Sequence, residues 1–125
     1  MILVDTSVWI DHLRAGDAHL STLLSLTNVV MHPMVLGELA CGSLQDRQTL
    51  IALWRNLPQL AAVTDAEALY CLDQNRLWGR GIGYIDLHLL AAVALSAQAR
   101  LWTRDKRLRE TAQRIGLAYP EPGIP

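Results

Sequence analysis

Four acidic residues sit where acids are costly. Asp5 closes the apolar run Ile2-Leu3-Val4, and Glu38 lies inside Met34-Val35-Leu36-Gly37-Glu38-Leu39-Ala40. Asp86 stands near the start of the most apolar stretch, Ile85-Asp86-Leu87-His88-Leu89-Leu90-Ala91-Ala92, and Asp105 follows Leu101-Trp102-Thr103-Arg104. The other eight of the twelve acids lie mostly among polar neighbours or at helix starts, as solvated acids do. A carboxylate in an apolar setting is expensive unless something compensates its charge. Brought together, four of them repel one another, and some must then take up protons. A divalent cation removes that penalty, and an all-oxygen donor set suits Mg²⁺ or Mn²⁺ far better than Zn²⁺. Such an ion activates water, polarises a phosphoryl oxygen and neutralises a leaving group, the chemistry of phosphodiester hydrolysis. The plainer alternative makes Glu38 and Asp86 helix-terminal or salt-bridged acids. It becomes harder to sustain when all four lie in apolar contexts.

The elements that must position these acids read as alternating strands and helices. Ile2-Leu3-Val4 suits a strand buried on both faces. Thr6 or Ser7 can cap a helix from about Val8 to Ala15, stopped by Gly16. Asp17 can cap a second helix carrying Leu20, Leu23 and Leu24, and Asn28 to Met31 forms a second strand. Pro33 suits the first turn of a helix that carries Glu38 and stops at Gly42. A further helix covers about Asp46 to Asn56, and Pro58 ends it. Leu60 to Val63 is a third strand. Thr64-Asp65-Ala66-Glu67 matches a capping box that opens a helix to about Trp78. Gly79-Arg80-Gly81-Ile82-Gly83 is a loop without the dinucleotide-binding spacing, and Tyr84 to Gln98 is an apolar helix. Leu101 to Thr103 is the fourth strand, Arg107 to Ile115 the last helix, and Leu117 to Tyr119 an edge strand. This alternation predicts an α/β fold, a three-layer α/β/α domain with a parallel sheet of four to five short strands and helices on both faces. Asp5 and Asp105 then share the carboxyl edge of the sheet, where open α/β sheets bind ligands. The domain spans residues 1–119. Residues 120–125, with Pro120, Pro122 and Pro125, form an irregular tail.

Length and composition set bounds. A chain of 125 residues is one domain and can bury a core without staples. Cys41 and Cys71 lack metal-ligand or CxxC spacing and read as apolar thiols. The longest run without Asp, Glu, Lys or Arg, Ala18 to Gly37, is interrupted by His19, Asn28, His32 and Pro33. It is two core elements and a turn rather than a membrane span. No basic leader precedes Asp5, so the expected location is the cytoplasm. Net charge is −1, yet Arg100, Arg104, Lys106, Arg107, Arg109 and Arg114 cluster against only Asp105 and Glu110. That is a local basic patch in a near-neutral protein.

Four segments together resemble the PIN-domain family, and more narrowly its VapC-type toxins. They are Val4-Asp5-Thr6-Ser7-Val8-Trp9-Ile10, the Glu38-Leu39 helix, Gly81 to Ala92 around Asp86, and Leu101-Trp102-Thr103-Arg104-Asp105-Lys106. Each is short, but their order and the chain length agree. The resemblance implies a Mg²⁺- or Mn²⁺-dependent endoribonuclease acting on tRNA or ribosomal RNA. Its catalytic acids map onto Asp5, Glu38, Asp86 and Asp105, with Asp5, Asp86 and Asp105 as metal ligands and Thr6 and Thr103 as supporting hydroxyls. It also implies a homodimer controlled by a VapB-like antitoxin.

Basic residues beside the acids have two readings. Arg104, Lys106, Arg107 and, in the glycine loop, Arg80 are phosphate contacts that offset repulsion between RNA and the acids, or a solvated face. Trp78 can stack on a base or pack. Trp9 and Leu13 share a helix face that belongs to an antitoxin groove or to the core. Two other functions compete with the nuclease. A catalytically silent PIN-like binding module would have lost two or more of the acids, and none is lost. An aspartyl phosphatase would want a second aspartate two residues after Asp5, where Ser7 stands.

Overall fold

The central strand, β1 (Ile2–Val4), is buried along its whole length, so both faces of the sheet are covered at its middle. In the computed structural model, which describes residues 1–123, β1 lies between β2 (Val29–Val30) and β3 (Arg100–Trp102). Both pairings are parallel, with Leu3 opposite Val30 on one side and Leu101 on the other. Parallel neighbours need crossover connections, and helices supply them. These are α1 (Thr6–Ala15), α2 (Ala18–Ser25), α3 (Pro33–Ala40), α4 (Arg47–Asn56), α5 (Asp65–Gln74) and α6 (Tyr84–Leu95), with α7 (Lys106–Arg114) following β3. Leu3, Val8, Leu20, Leu89, Leu90 and Trp102 are fully buried in one continuous core.

Three of the expected four to five strands are present as strands. The Leu60–Val63 segment is reduced to one bridge, Met31 to Gln59, held by Met31 N–H to Pro58 O and Leu60 N–H to Met31 O, both 2.8 Å. Beyond it Ala61 and Ala62 are exposed, so no apolar face pins further pairing. The Leu117–Tyr119 edge is likewise a single bridge between Leu101 and Ala118, and Pro120 then removes the next donor. The spatial order still extends outward on both sides of the three true strands.

Helix ends differ modestly from expectation. The first helix begins at Thr6, with Asp5 in the N-cap position but its carboxylate making no cap bond. α5 stops at Gln74 rather than Trp78, because Arg76 turns into the left-handed region at φ +53° and Leu77 N–H returns to Leu72 O. α6 ends at Leu95 rather than Gln98. The capping box at Thr64 and Glu67 is formed as predicted. Among the described residues no helix is long and apolar enough to cross a membrane. The tail is irregular through Gly123, and Pro125 lies outside the described residues.

Candidate active site

Strand pairing carries Asp5 to the sheet edge. Its backbone N–H continues the ladder to Trp102 O at 2.9 Å, which sets Asp5 beside Thr103. Asp5 is only 6% exposed. Its Oδ2 accepts hydrogen bonds from Ser7 Oγ and Thr103 Oγ1, both at 2.8 Å. Ser7 Oγ also accepts Arg104 N–H at 3.0 Å, and Thr103 Oγ1 accepts Asp105 N–H at 3.1 Å. Ser7 is thus a support for the first acid rather than a helix cap, and Thr103 links Asp5 to Asp105.

Each of the other three acids is likewise held by a hydrogen bond. Glu38, on the exposed side of α3, accepts a hydrogen bond from Thr6 Oγ1 through Oε1 at 2.9 Å. Asp86, in the first turn of α6, receives the Gly83 N–H on Oδ2 at 3.3 Å. Asp105 caps α7, accepting Leu108 N–H on Oδ1 at 2.9 Å. In each of the four carboxylates one oxygen is committed to a positioning bond. The other has no hydrogen-bond partner among the described residues.

Asp86 feels the charge of the other three acids. Burial raises the Asp86 carboxyl above the usual range, the Gly83 N–H opposes that, and Asp5, Asp105 and Glu38 each raise it further. This is the like-charge penalty expected of gathered carboxylates. Among the described residues, however, no three acidic, histidine or cysteine groups converge tightly enough to make a preformed cation cage. The donor chemistry fits a hard cation all the same. The donors are all oxygen, one on each acid is uncommitted, and the other three acids disfavour the charged form of Asp86. A loose arrangement also suits Mg²⁺, which keeps several waters and takes only one or two carboxylates directly.

The expected basic contacts fare unequally. Arg104 is not free to meet phosphate. Its guanidinium bonds Asp11 at 2.8 Å, Asp17 at 2.6 Å and Glu121 at 2.6 Å, and its Cζ sits 5.5 Å from the Trp102 ring centroid. Burial alone would raise the Asp17 carboxyl, but the Arg104 guanidinium and the Leu20 N–H hold it below the usual range. Glu121 shows that the tail is tied to the domain, its side chain 8% exposed. Arg80 turns back to Arg76 O at 3.2 Å, while Lys106 stays exposed at the start of α7. Trp9 belongs to the core, 3% exposed and edge-on to Trp54, whereas Leu13 is exposed. Trp78 is 59% exposed and is not core. A cleft of about 630 Å³ opens beside Thr6 and Glu38, walled by Ile10, Leu13, Leu39 and Leu50.

Sequence reasoning missed a set of polar contacts between the starts of α5 and α6. Asp65 accepts from Tyr84 Oη at 2.8 Å and meets His88 Nε2 at 2.9 Å. His32 is the fully buried N-cap of α3, its Nδ1 accepting Met34 N–H at 3.0 Å. Burial, with the His88 charge adding to it, pushes His32 down to about 4. The only sequence signal for His32 was its place before Pro33.

A parallel sheet with Asp5 and Asp105 at its carboxyl edge, and Glu38 and Asp86 near enough to affect the same cluster, defines an α/β domain with a candidate acidic site. A model of the PIN domain matches residues 2–114, so the chain belongs to the PIN-domain family. Within that family it is of the VapC type: it is 51% identical over 121 residues to proteins named Ribonuclease VapC32 from two Mycobacterium tuberculosis strains, CDC 1551 / Oshkosh and ATCC 25618 / H37Rv. The match covers 97% of this chain and 98% of each relative.

Proposed function

We propose that this chain is the toxic component of a toxin–antitoxin pair, an endoribonuclease that hydrolyses RNA phosphodiester bonds with Mg²⁺ or Mn²⁺. The observation that carries the reading is the set of four carboxylates, each with one oxygen tied down and one open. Similarity to relatives named as ribonucleases supports the RNA substrate. Asp5, Asp86 and Asp105 would hold the cation, directly or through water. When bound, the cation supplies charge neutralisation and an activated water. The chain does the rest. Ser7 and Thr103 fix Asp5 in one rotamer, and Thr6 aims Glu38. With its free oxygen Glu38 orients the attacking water and accepts its proton. Asp86 is kept in place by the Gly83 N–H.

The finer parts of the reading follow from the same family. The substrate is a tRNA or a ribosomal RNA loop, and the setting is the cytoplasm. A VapB-like antitoxin fits the cleft beside Thr6 and Glu38, where Ile10 and Leu13 offer apolar contacts. A homodimer would cover Leu69, Tyr70 and Leu95, large apolar side chains exposed on α5 and α6. The test is Asp5→Asn with purified protein and mixed RNA in Mg²⁺. The expected result is a loss of cleavage of at least about a hundredfold, the scale set by losing a direct ligand rather than an outer-shell partner. Cleavage at the parental rate would overturn the assignment.

A further inference from the structure

The loop ahead of Asp86 and the helix after Asp105 meet at one point. Gly81 has φ +77°, and a Cβ added there would lie 2.6 Å from Cδ and 2.8 Å from Nη1 of Arg107. The left-handed backbone alone favours glycine, although asparagine can adopt it. Arg107 imposes a second condition: only a bare Cα lets its side chain lie across the loop. Arg107 sits two residues after Asp105, and Gly81 five residues before Asp86. One side chain therefore links the loop ahead of Asp86 to the helix after Asp105. Arg107 is exposed, and among the described residues its guanidinium has no hydrogen-bond or ion-pair partner. Arg104, by contrast, is fully spent on three carboxylates.

We propose, on the ribonuclease reading above, that Arg107 seated on Gly81 binds the RNA phosphate backbone beside the acid cluster. An acidic site repels RNA, and a cation held at its rim offsets that repulsion. A guanidinium grips phosphate through two parallel N–H bonds, which a lysine such as Lys106 cannot do. Resting on the loop, the side chain has already given up much of the freedom that binding would otherwise cost.

The experiment measures binding of a fluorescein-labelled 20-nucleotide oligouridylate by anisotropy, in an Asp5→Asn background with Mg²⁺. Arg107→Ala is expected to weaken binding about three- to tenfold and to lower the salt slope by about 0.7, one phosphate contact on a single strand. Arg107→Lys should keep the slope and lose part of the affinity. Gly81→Ala should weaken binding by itself and add nothing in the Arg107→Ala chain, the mark of one shared contact. Unchanged affinity and slope in Arg107→Ala, or additive effects of the two substitutions, would overturn the proposal. If the protein with Asp5 intact cleaves mixed RNA and Arg107→Ala cleaves with the same KM, only this inference falls. If the protein with Asp5 intact neither binds nor cleaves RNA, the ribonuclease reading falls and takes this one with it.

Discussion

Thr103→Val is the most telling perturbation of the acid cluster, because it removes one hydroxyl and keeps the side-chain shape. Thr103 is 3% exposed and donates to Asp5 Oδ2 at 2.8 Å while accepting Asp105 N–H at 3.1 Å. A hydrogen bond to a charged group contributes about 1.5–3 kcal/mol, and the unpaired Asp105 N–H adds about 1 kcal/mol more. Ser7 still donates to the same oxygen, so the net loss settles at about 2–3 kcal/mol. For a 125-residue chain each kcal/mol moves Tm by about 3–5 °C, which gives a fall of about 6–15 °C. Activity should suffer beyond stability, since Asp5 and Asp105 both lose a fixed orientation. Loss of such an outer support costs about 10–100-fold in metal affinity or rate. Thr103→Ser is the control: it keeps the hydroxyl and gives up one methyl, at about 1 kcal/mol. Thermal melting followed by circular dichroism reads the first effect, and RNA cleavage across a Mg²⁺ titration reads the second. A Thr103→Val protein that melts with the parent and cleaves with the parental Mg²⁺ dependence would refute the positioning role.

Two further outcomes follow. Arg104→Ala strands three carboxylates, and since the arginine side chain is 27% exposed the cost is discounted from that of a buried pair to about 2 kcal/mol. Glu121 then loses its anchor, so limited proteolysis with mass spectrometry should find new cuts near Pro120; an unchanged digestion pattern would contradict the latch. His32 makes stability depend on pH. Its folded value of about 4 lies below the ordinary 6.5, so between these pH values the unfolded chain binds a proton that the folded chain refuses. Stability is complete above the ordinary value and declines as pH falls toward 4, by at most about 3 kcal/mol. Urea unfolding at pH 7.5 and 4.5 measures the decline, and His32→Asn, which can still cap α3, should flatten it.

Asp5, Glu38 and Asp86 stand out as candidates because each ends or interrupts an apolar run, a pattern that needs no knowledge of neighbours, whereas Asp105, between Arg104 and Lys106, stands out only by following an apolar strand. The strand ends carrying Asp5 and Asp105 were legible for the same reason, and β3 pairing with β1 brings them to one edge. Arg104 was misread because its partners are remote: Asp11 and Asp17 lie 93 and 87 positions away, and no local pattern announces them. Leu60–Val63 has strand composition but too little burial beside it to become more than a bridge. His88 and Asp65 meet only through packing, and a histidine among leucines gives no hint of its partner.

The hydroxyl that steadies Asp5 stands 98 positions further along the chain. β1 is made first and sits in the middle of the sheet, yet its partner β3 is made almost last. The site is therefore a long-range assembly, closed by one of the largest loops this chain can form. While Thr103 and Asp105 are still inside the ribosome, Asp5 and Glu38 are already synthesised but lack their companions. Under the proposed activity, a chain that has not yet paired β3 with β1 lacks Thr103 and Asp105 beside Asp5 and is expected not to cleave RNA.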